Sequence, residues 1–241
     1  MGHGGMGFFH HYPLNSFESI KNCINLGADG SEIDVQLSRD NVLYAFHDRD
    51  LDDATNMSGL IRDKFSYELD HCFYDNQTNG EFRLARLDKV FGKLADYSGL
   101  YYSFDCKLNP SNLESPGDYY ADFINALEAL INQFKLGKQV YIESGTSEFL
   151  KQLHKQMPHI NRFYYASGYD DAMAYVAKDK VNGITVSGEK ISGEQIAELH
   201  NQKLMVALFG CKTASSNKDY IRRSPDIIQS DYVKHLIGEL K

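Results

Sequence analysis

Apolar runs alternate with amphipathic stretches along almost the whole chain. In residues 15–26, Phe17, Ile20 and Ile24 recur at helical spacing behind Ser16, a capping residue, and the pattern stops at Gly27. This predicts a helix. Leu87, Val90, Phe91 and Leu94 mark another, and further helices are predicted over 119–135, 147–156, 170–177, 193–201, 216–223 and 232–240. Strands are predicted at 30–37, 100–107, 140–142, 163–165, 183–186, 204–209 and 226–230. Seven strands, nearly all separated by helices, predict an α/β fold with a parallel sheet and helical crossovers. There is no repeat of 20–50 residues, no low-complexity tract and no break in composition. The expectation is therefore one domain over residues 1–241 with loop-rich excursions at 48–79 and 111–118. The first is long for a connection, so it is expected to carry short helices or to shape a binding mouth.

Residues 31–48, SEIDVQLSRDNVLYAFHD, carry the most chemistry. Glu32, Asp34, Gln36 and Ser38 fall on one strand face and Ile33, Val35 and Leu37 on the other. Asp40-Asn41 suits a two-residue hairpin turn, because both residues tolerate positive φ. That turn pairs Arg39 with Val42, sets Leu37 opposite Tyr44 and Val35 opposite Phe46, and places Asp34 opposite His47. Two carboxylates at i, i+2 form a compact oxygen set for a hard divalent cation, and an imidazole beside them can handle protons near neutral pH. The alternative is an ordinary half-exposed hairpin with its polar face in water.

Composition narrows the possibilities. A chain of 241 residues fits one α/β barrel of about 250. With 42% hydrophobic and 24% charged residues, a core can form. The net charge of −8, without basic runs, argues against gripping a nucleic-acid backbone, though not against a small phosphate ester held through a metal. The longest apolar runs fall far short of a membrane span, and no signal peptide is visible in MGHGGMGFFHHYP. Cys23, Cys72, Cys106 and Cys211 are scattered without a CxxC, which predicts four reduced thiols and points to a reducing compartment.

The segment from Glu32 to Asp48 resembles the glycerophosphodiester phosphodiesterase family, whose pattern runs E-x-D-V-x-x-(S/T)-x-D and then H-D at the end of the returning strand. Here it reads Glu32-Ile33-Asp34-Val35, Ser38, Asp40 and His47-Asp48. Upstream, His3-Gly4-Gly5 and Pro13-Leu14-Asn15-Ser16 are similar to the family's glycine-rich turn and its P-E-N-T. Downstream, Asp105-Cys106-Lys107 resembles its E-x-K strand and Asp231-Tyr232 its closing D-Y. The resemblance implies a TIM-type (β/α)8 barrel. It implies His3 and His47 as catalytic histidines; we assign His3 as the base and His47 as the acid. It implies Glu32, Asp34 and Asp105 as ligands of one divalent cation, Mg²⁺ or Ca²⁺, and Lys107 and Asn15 as substrate-binding residues.

Four departures accompany it. Gly4 stands where the family has Arg, and Leu14 where it has Glu, so both charges are lost together. Lys107, or His10 and His11, would then meet the phosphate charge, the alternative for those two histidines being solvated loop positions. Phe209-Gly210-Cys211 stands where many members have a Trp. Only Met1 and Gly2 precede His3, so the first strand is expected to be cut to a stub, unless the sequence starts inside a longer chain. Localisation follows that choice: cytoplasmic if Met1 is the native start, periplasmic or secreted if a segment is missing. The implied activity is metal-dependent hydrolysis of a small-molecule glycerophosphodiester, with no nucleic-acid partner. Two alternatives stay open: a lipid-directed phosphodiesterase of the sphingomyelinase D or lysophospholipase D kind, for which Met57, Leu60, Ile61, Phe65 and Tyr67 would supply an apolar rim, and a catalytically silent phosphate-binding barrel.

Overall fold

The computed structural model describes residues 1–8, 11–75, 80–110 and 115–241. In chain order the strands are β1 (Gly30–Leu37), β2 (Leu43–Ala45), β3 (Phe73–Tyr74), β4 (Phe82–Arg83), β5 (Ala85–Arg86), β6 (Tyr101–Cys106), β7 (Val140–Ser144), β8 (Asn161–Ala166), β9 (Gly183–Ser187), β10 (Met205–Cys211) and β11 (Ile227–Ser230). The helices are α1 (Phe17–Asn25), α2 (Ser66–Leu69), α3 (Leu87–Lys93), α4 (Pro116–Gln133), α5 (Ser147–Gln156), α6 (Tyr169–Val176), α7 (Gly193–Asn201), α8 (Ala214–Arg223) and α9 (Val233–Leu240). α1 starts where the pattern puts it, with the Ser16 side chain accepting from the Ser19 N–H. α4 starts three residues earlier than its apolar spacing suggests, because Pro116 sits in the first turn, where a missing N–H costs nothing.

β1 and β6 to β11 run parallel in the order β1-β6-β7-β8-β9-β10-β11. The ring is closed by the stub at the start of the chain. Gly2 bridges in parallel to Ser31 on one side and Ser230 on the other. The Gly2 and Ser230 N–H groups donate to the Gly30 and Met1 carbonyls, and the Glu32 N–H donates to the Gly2 carbonyl at 2.8 Å. Seven strands plus this stub make the eight-membered barrel with a truncated first strand. Ile33, Val35, Phe104 and Ile142 face outward and pack with Phe123, Leu127 and Ile131 of α4 in the main core. The inward residues of β1 are buried too: Glu32, Asp34 and Gln36 are each 2% exposed or less. The polar face is therefore the inside of the barrel, not a solvated surface.

The hairpin register differs from the expected one by a residue. Val35 pairs with Ala45, Gln36 with Tyr44 and Leu37 with Leu43. The turn uses three residues, not two. The Asn41 N–H donates to the Ser38 carbonyl, the Ser38 N–H to the Val42 carbonyl, and Asn41 has φ 63°. This is a type I turn followed by a left-handed residue, and the extra residue flips the returning strand. Leu43 and Ala45 join the outer core, whereas Tyr44 and Phe46 turn to the other side and anchor the excursion after His47. His47 consequently does not pair with Asp34 across the ladder. It follows the end of β2, while the Phe46 N–H donates to the Asp34 carbonyl.

The excursion carries a 3-10 turn (Ile61–Asp63), α2 and β3, and Leu51, Ile61, Leu69, Cys72 and Tyr74 pack onto Tyr44 and Phe46. Among the proposed rim residues, Ile61 is fully buried, Met57 packs on that cluster, and Tyr67 is exposed and stacked on Phe65. Residues 76–79 and 111–114 lie outside the described ones. All four cysteines are free and buried.

The turn gives a direct test of the register. Asn41→Val forces a β-branched side chain to positive φ and should cost about 1–2 kcal/mol. Asn41→Gly should change stability by less than about 0.5 kcal/mol. Urea unfolding of the two variants measures the difference; equal midpoints would contradict the left-handed position.

Candidate active site

The parallel register sets the site. Asp34 on β1 is directly beside Asp105 on β6, and Asp105 is beside Glu143 on β7. Glu32, two residues before Asp34, shares its inward face. One carboxylate oxygen each from Glu32, Asp34 and Asp105 lies within 4.8 Å of the others. Buried carboxylates this close repel, and burial favours their neutral form. Burial and the Asp34 charge push the Glu32 carboxyl well above its usual range, against the opposing His3 charge and a Gly4 N–H bond. Burial also raises Asp105, despite Lys107. At Asp34 the burial penalty is outweighed by the charges of Lys107, His47 and His3, and its carboxyl is lowered.

The neighbours are arranged to meet that charge. Lys107 Nζ lies 2.9 Å from Asp34 and 2.6 Å from Asp105. The Gly4 N–H donates to Glu32 at 2.7 Å. Asn15, held at φ 65°, donates to Asp34 Oδ2 at 2.7 Å and accepts from the Asp34 N–H at 3.0 Å. His3 follows the barrel-closing stub, and its Nδ1 is 2.8 Å from fully buried Asp231 at the end of β11. Burial lowers the affinity of His3 for its proton, but the Asp231 bond and the Glu32 and Asp34 charges prevail and raise its pKa to about 9. His47 Nδ1 pairs with Asp48 at 2.8 Å, and its side chain is half exposed.

The structure thus gathers His3, His47, Glu32, Asp34, Asp105, Lys107 and Asn15 at the C-terminal rim of the barrel, where barrel enzymes place their chemistry. A cavity of about 250 Å³ opens between His3, Glu32, His47, Asp105 and Lys107. Phe209 and Tyr165 stack at 5.2 Å along its wall, where the family's Trp is missing. His11 is exposed, and His10 lies outside the described residues. Gly4 and Leu14 fit each other: a Cβ on Gly4 would come within 2.9 Å of the Leu14 side chain, and Gly4 has φ +51°. Loss of the two charges is therefore also a change of packing.

Sequence reasoning missed Glu143 and the structural partner of His3. Burial and Asp105 raise Glu143 to about 7, while Ser103 and Gln229 donate to it. Its strand was expected to end at 142. The signal was an acid immediately after an apolar run, in the frame that faces inward. Asp231 was visible as part of D-Y, but nothing local tied it to a residue 228 positions away.

Three clustered, buried oxygen donors, two of them with raised affinity for protons, are a donor set suited to a hard divalent cation. Barrel, histidine pair and acidic cluster together fit a hydrolase of the TIM-barrel class whose acids could hold a metal ion. The sequence pattern of the Glycerophosphoryl diester phosphodiesterase family matches residues 6–235, and the chain belongs to that family. It is 26% identical over 235 residues to a glycerophosphodiester phosphodiesterase of Bacillus altitudinis, covering 94% of this chain and 92% of that protein. Among known structures it is similar to an Oleispira antarctica phosphodiesterase in complex with the product sn-glycerol-3-phosphate (TM-score 0.83, 19% identity, 99% and 95% of the two chains covered). It is also similar to a glycerophosphodiester phosphodiesterase of Agrobacterium tumefaciens (TM-score 0.77, 20% identity, 98% and 99% covered).

Two measurements probe the cluster. A divalent cation at about 100 times its Kd should raise the melting temperature by roughly 5–10 °C, and Glu32→Gln or Asp34→Asn should remove the shift. No shift by calorimetry would count against a metal site. In metal-free protein, His3 should titrate near pH 9, above the ordinary 6.5. The stability it contributes is then complete below about pH 6.5 and is lost as pH rises through about 9. Asp231→Asn, or an added cation, should bring the His3 pKa down in an NMR titration, because each removes negative charge from its surroundings.

Proposed function

We propose that this chain hydrolyses a glycerophosphodiester to glycerol phosphate and an alcohol, with one divalent cation bound by Glu32, Asp34 and Asp105. The observation that carries the reading is the in-register Asp34–Asp105 pair with Glu32 beside it, set between two histidines at one cavity. The donors are all hard oxygens, which suits Mg²⁺ or Ca²⁺. When bound, the cation supplies positive charge to offset the negative charge that builds on the phosphate oxygens in the transition state.

The chain's own residues do the rest. With a bound cation offsetting the Glu32 and Asp34 charges that otherwise hold its proton, His3 would accept the proton of the attacking oxygen; Asp231 fixes its ring and stabilises the imidazolium that forms, as a buried acid does behind a general base. His47 gives a proton to the leaving alkoxide, which is a poor leaving group at neutral pH. Its Nδ1 is engaged by Asp48, so Nε2 is the nitrogen left for substrate. Lys107, which lies between Asp34 and Asp105, is placed to meet a phosphate oxygen beside the acids, where Gly4 offers no charge. Asn15 holds Asp34 through two hydrogen bonds and so orients a ligand. The attacking oxygen is that of water or of the substrate's own hydroxyl; the latter route gives a cyclic phosphate first and gains from proximity.

His3→Ala and His47→Ala should each lower kcat/KM for glycerophosphodiesters by about 10²-fold or more; His47→Ala should leave the melting temperature nearly unchanged, whereas His3→Ala should lower it, because buried Asp231 loses its partner. A nitrophenyl phosphodiester, whose leaving group needs little protonation, should partly rescue His47→Ala and not His3→Ala. Equal responses would overturn the division of roles, and full activity in both would overturn the proposed chemistry.

A further inference from the structure

His47 sits where the sheet stops holding the chain. The last backbone bond between β1 and the returning segment is the Phe46 N–H on the Asp34 carbonyl, at 3.0 Å. Among the described residues, no backbone–backbone bond holds His47 or Asp48. The Gln36 side chain takes over at that point. Its Nε2 donates to the Phe46 carbonyl at 2.9 Å and to the Asp48 carbonyl at 2.7 Å, which belong to the residues before and after His47. We propose that Gln36 is a positioning residue: it holds the backbone on both sides of His47 so that the imidazole stays at the leaving oxygen. The inference rests on the hydrolytic reading above and adds a group that does not line the substrate cavity.

The amide has one orientation open to it. Gln36 is only 2% exposed, on the inward face of β1 two residues after Asp34. A glutamine is seldom buried so far, and a buried amide must find partners. Its Oε1 accepts from Asn109 Nδ2 at 3.2 Å, while Nε2 serves the two carbonyls. A flipped amide would set its oxygen against those two carbonyl oxygens. Asn109 lies just past the end of β6, and its own carbonyl accepts from Arg62 of the excursion. Three segments distant in sequence thus meet at one side chain beside the His47 backbone.

The need for such a clamp follows from where His47 is. Its side chain is half exposed, so packing alone does little to fix the ring. Its Nδ1 is engaged by Asp48, which is itself exposed, and Gln36 holds the Asp48 backbone as well. The clamp therefore acts on the imidazole and on the carboxylate that orients it. A general acid works only within hydrogen-bond reach of the oxygen it protonates. A displacement of about 1 Å can lower the rate by about 10²-fold. Gln36 shares β1 with Glu32 and Asp34, so an effect through His47 must be separated from one through the acids.

Gln36→Met keeps the reach of the side chain and removes the amide. With a divalent cation present, it should lower kcat for a glycerophosphodiester by about 10- to 100-fold and change KM by less than about twofold. A nitrophenyl phosphodiester, which needs little protonation, should lose less than about threefold. In a His47→Ala background the same substitution should cost less than about twofold, because the side chain it positions is gone. The rise in melting temperature on adding the cation should match that of the unaltered protein. Asn109→Ala removes only the bond to Oε1 and should show the same substrate selectivity at smaller size; it carries the test if Gln36→Met does not fold. Equal losses on both substrates, an undiminished loss in the His47→Ala background, or a vanished cation shift would place the role in the fold or in the acids and overturn the inference. Unchanged kcat in both variants overturns it too. In each of these cases hydrolysis by the unaltered enzyme leaves the proposed function standing. Hydrolysis of neither diester by the unaltered enzyme overturns the proposed function and this inference with it.

Discussion

Several carboxylates buried at one end of a barrel are the constraint around which this structure is organised. Asp34, Asp105 and Glu143 form a row across three adjacent strands, with Glu32 one step below, and all are nearly inaccessible to water. Removing such groups from solvent costs several kcal/mol per ion unless charge and hydrogen bonds replace the lost water. Nearly every polar neighbour does that work. Lys107 spans Asp34 and Asp105, the Gly4 N–H meets Glu32, Asn15 clasps Asp34, and Ser103 and Gln229 donate to Glu143. The compensation is incomplete, since Glu32 and Asp105 still hold their protons more tightly than free acids. The same uncompensated negative potential that raises their affinity for protons makes the cluster receptive to a divalent cation, which would displace them.

Closure of the barrel and assembly of the chemistry are one event. His3 is the residue after the stub that bridges β1 to β11, and its partner Asp231 is the residue after β11. Frayed pairing at Gly2 would separate the histidine from its carboxylate and would remove the Gly4 N–H from Glu32 together with it. The pairing at Gly2 is held by backbone bonds on both sides, from Gly2, His3, Glu32 and Ser230. Helix α1 ties the same region down from outside. Its capping residue, Ser16, follows Asn15, and its Ser19 hydroxyl links the Gly4 carbonyl to the Met6 N–H.

The two sides of His47 have different characters, and both follow from the hairpin. The three-residue turn places Tyr44 and Phe46 away from the main core, where they gather Leu51, Ile61, Leu69 and Tyr74. Phe46 and Tyr74 of this satellite core line the far side of His47, while β1 supplies the acids on its near side. A two-residue turn would have sent Phe46 into the outer core and left the excursion without its anchor. A local choice of backbone conformation at Asn41 thus reaches the chemistry by way of packing.

The alternation of apolar and amphipathic segments determined the parallel α/β architecture, because strand and helix periods are local properties. The spacing of Glu32, Asp34, Asp105 and Lys107 likewise fixed which side chains share a strand face, since that depends only on the two-residue repeat. Sequence alone could not set the hairpin register. Asp40-Asn41 is compatible with either turn, and the choice is made by the hydrogen bonds of Ser38 and by where Tyr44 finds a core. Nor could it join His3 to Asp231, which meet because the sheet closes on itself, or Asp105 to Glu143, which meet through the register of β6 on β7. The chain specified the groups and their faces; the closed barrel decided which groups meet, because contact between distant strands depends on register and closure, and neither is a local quantity.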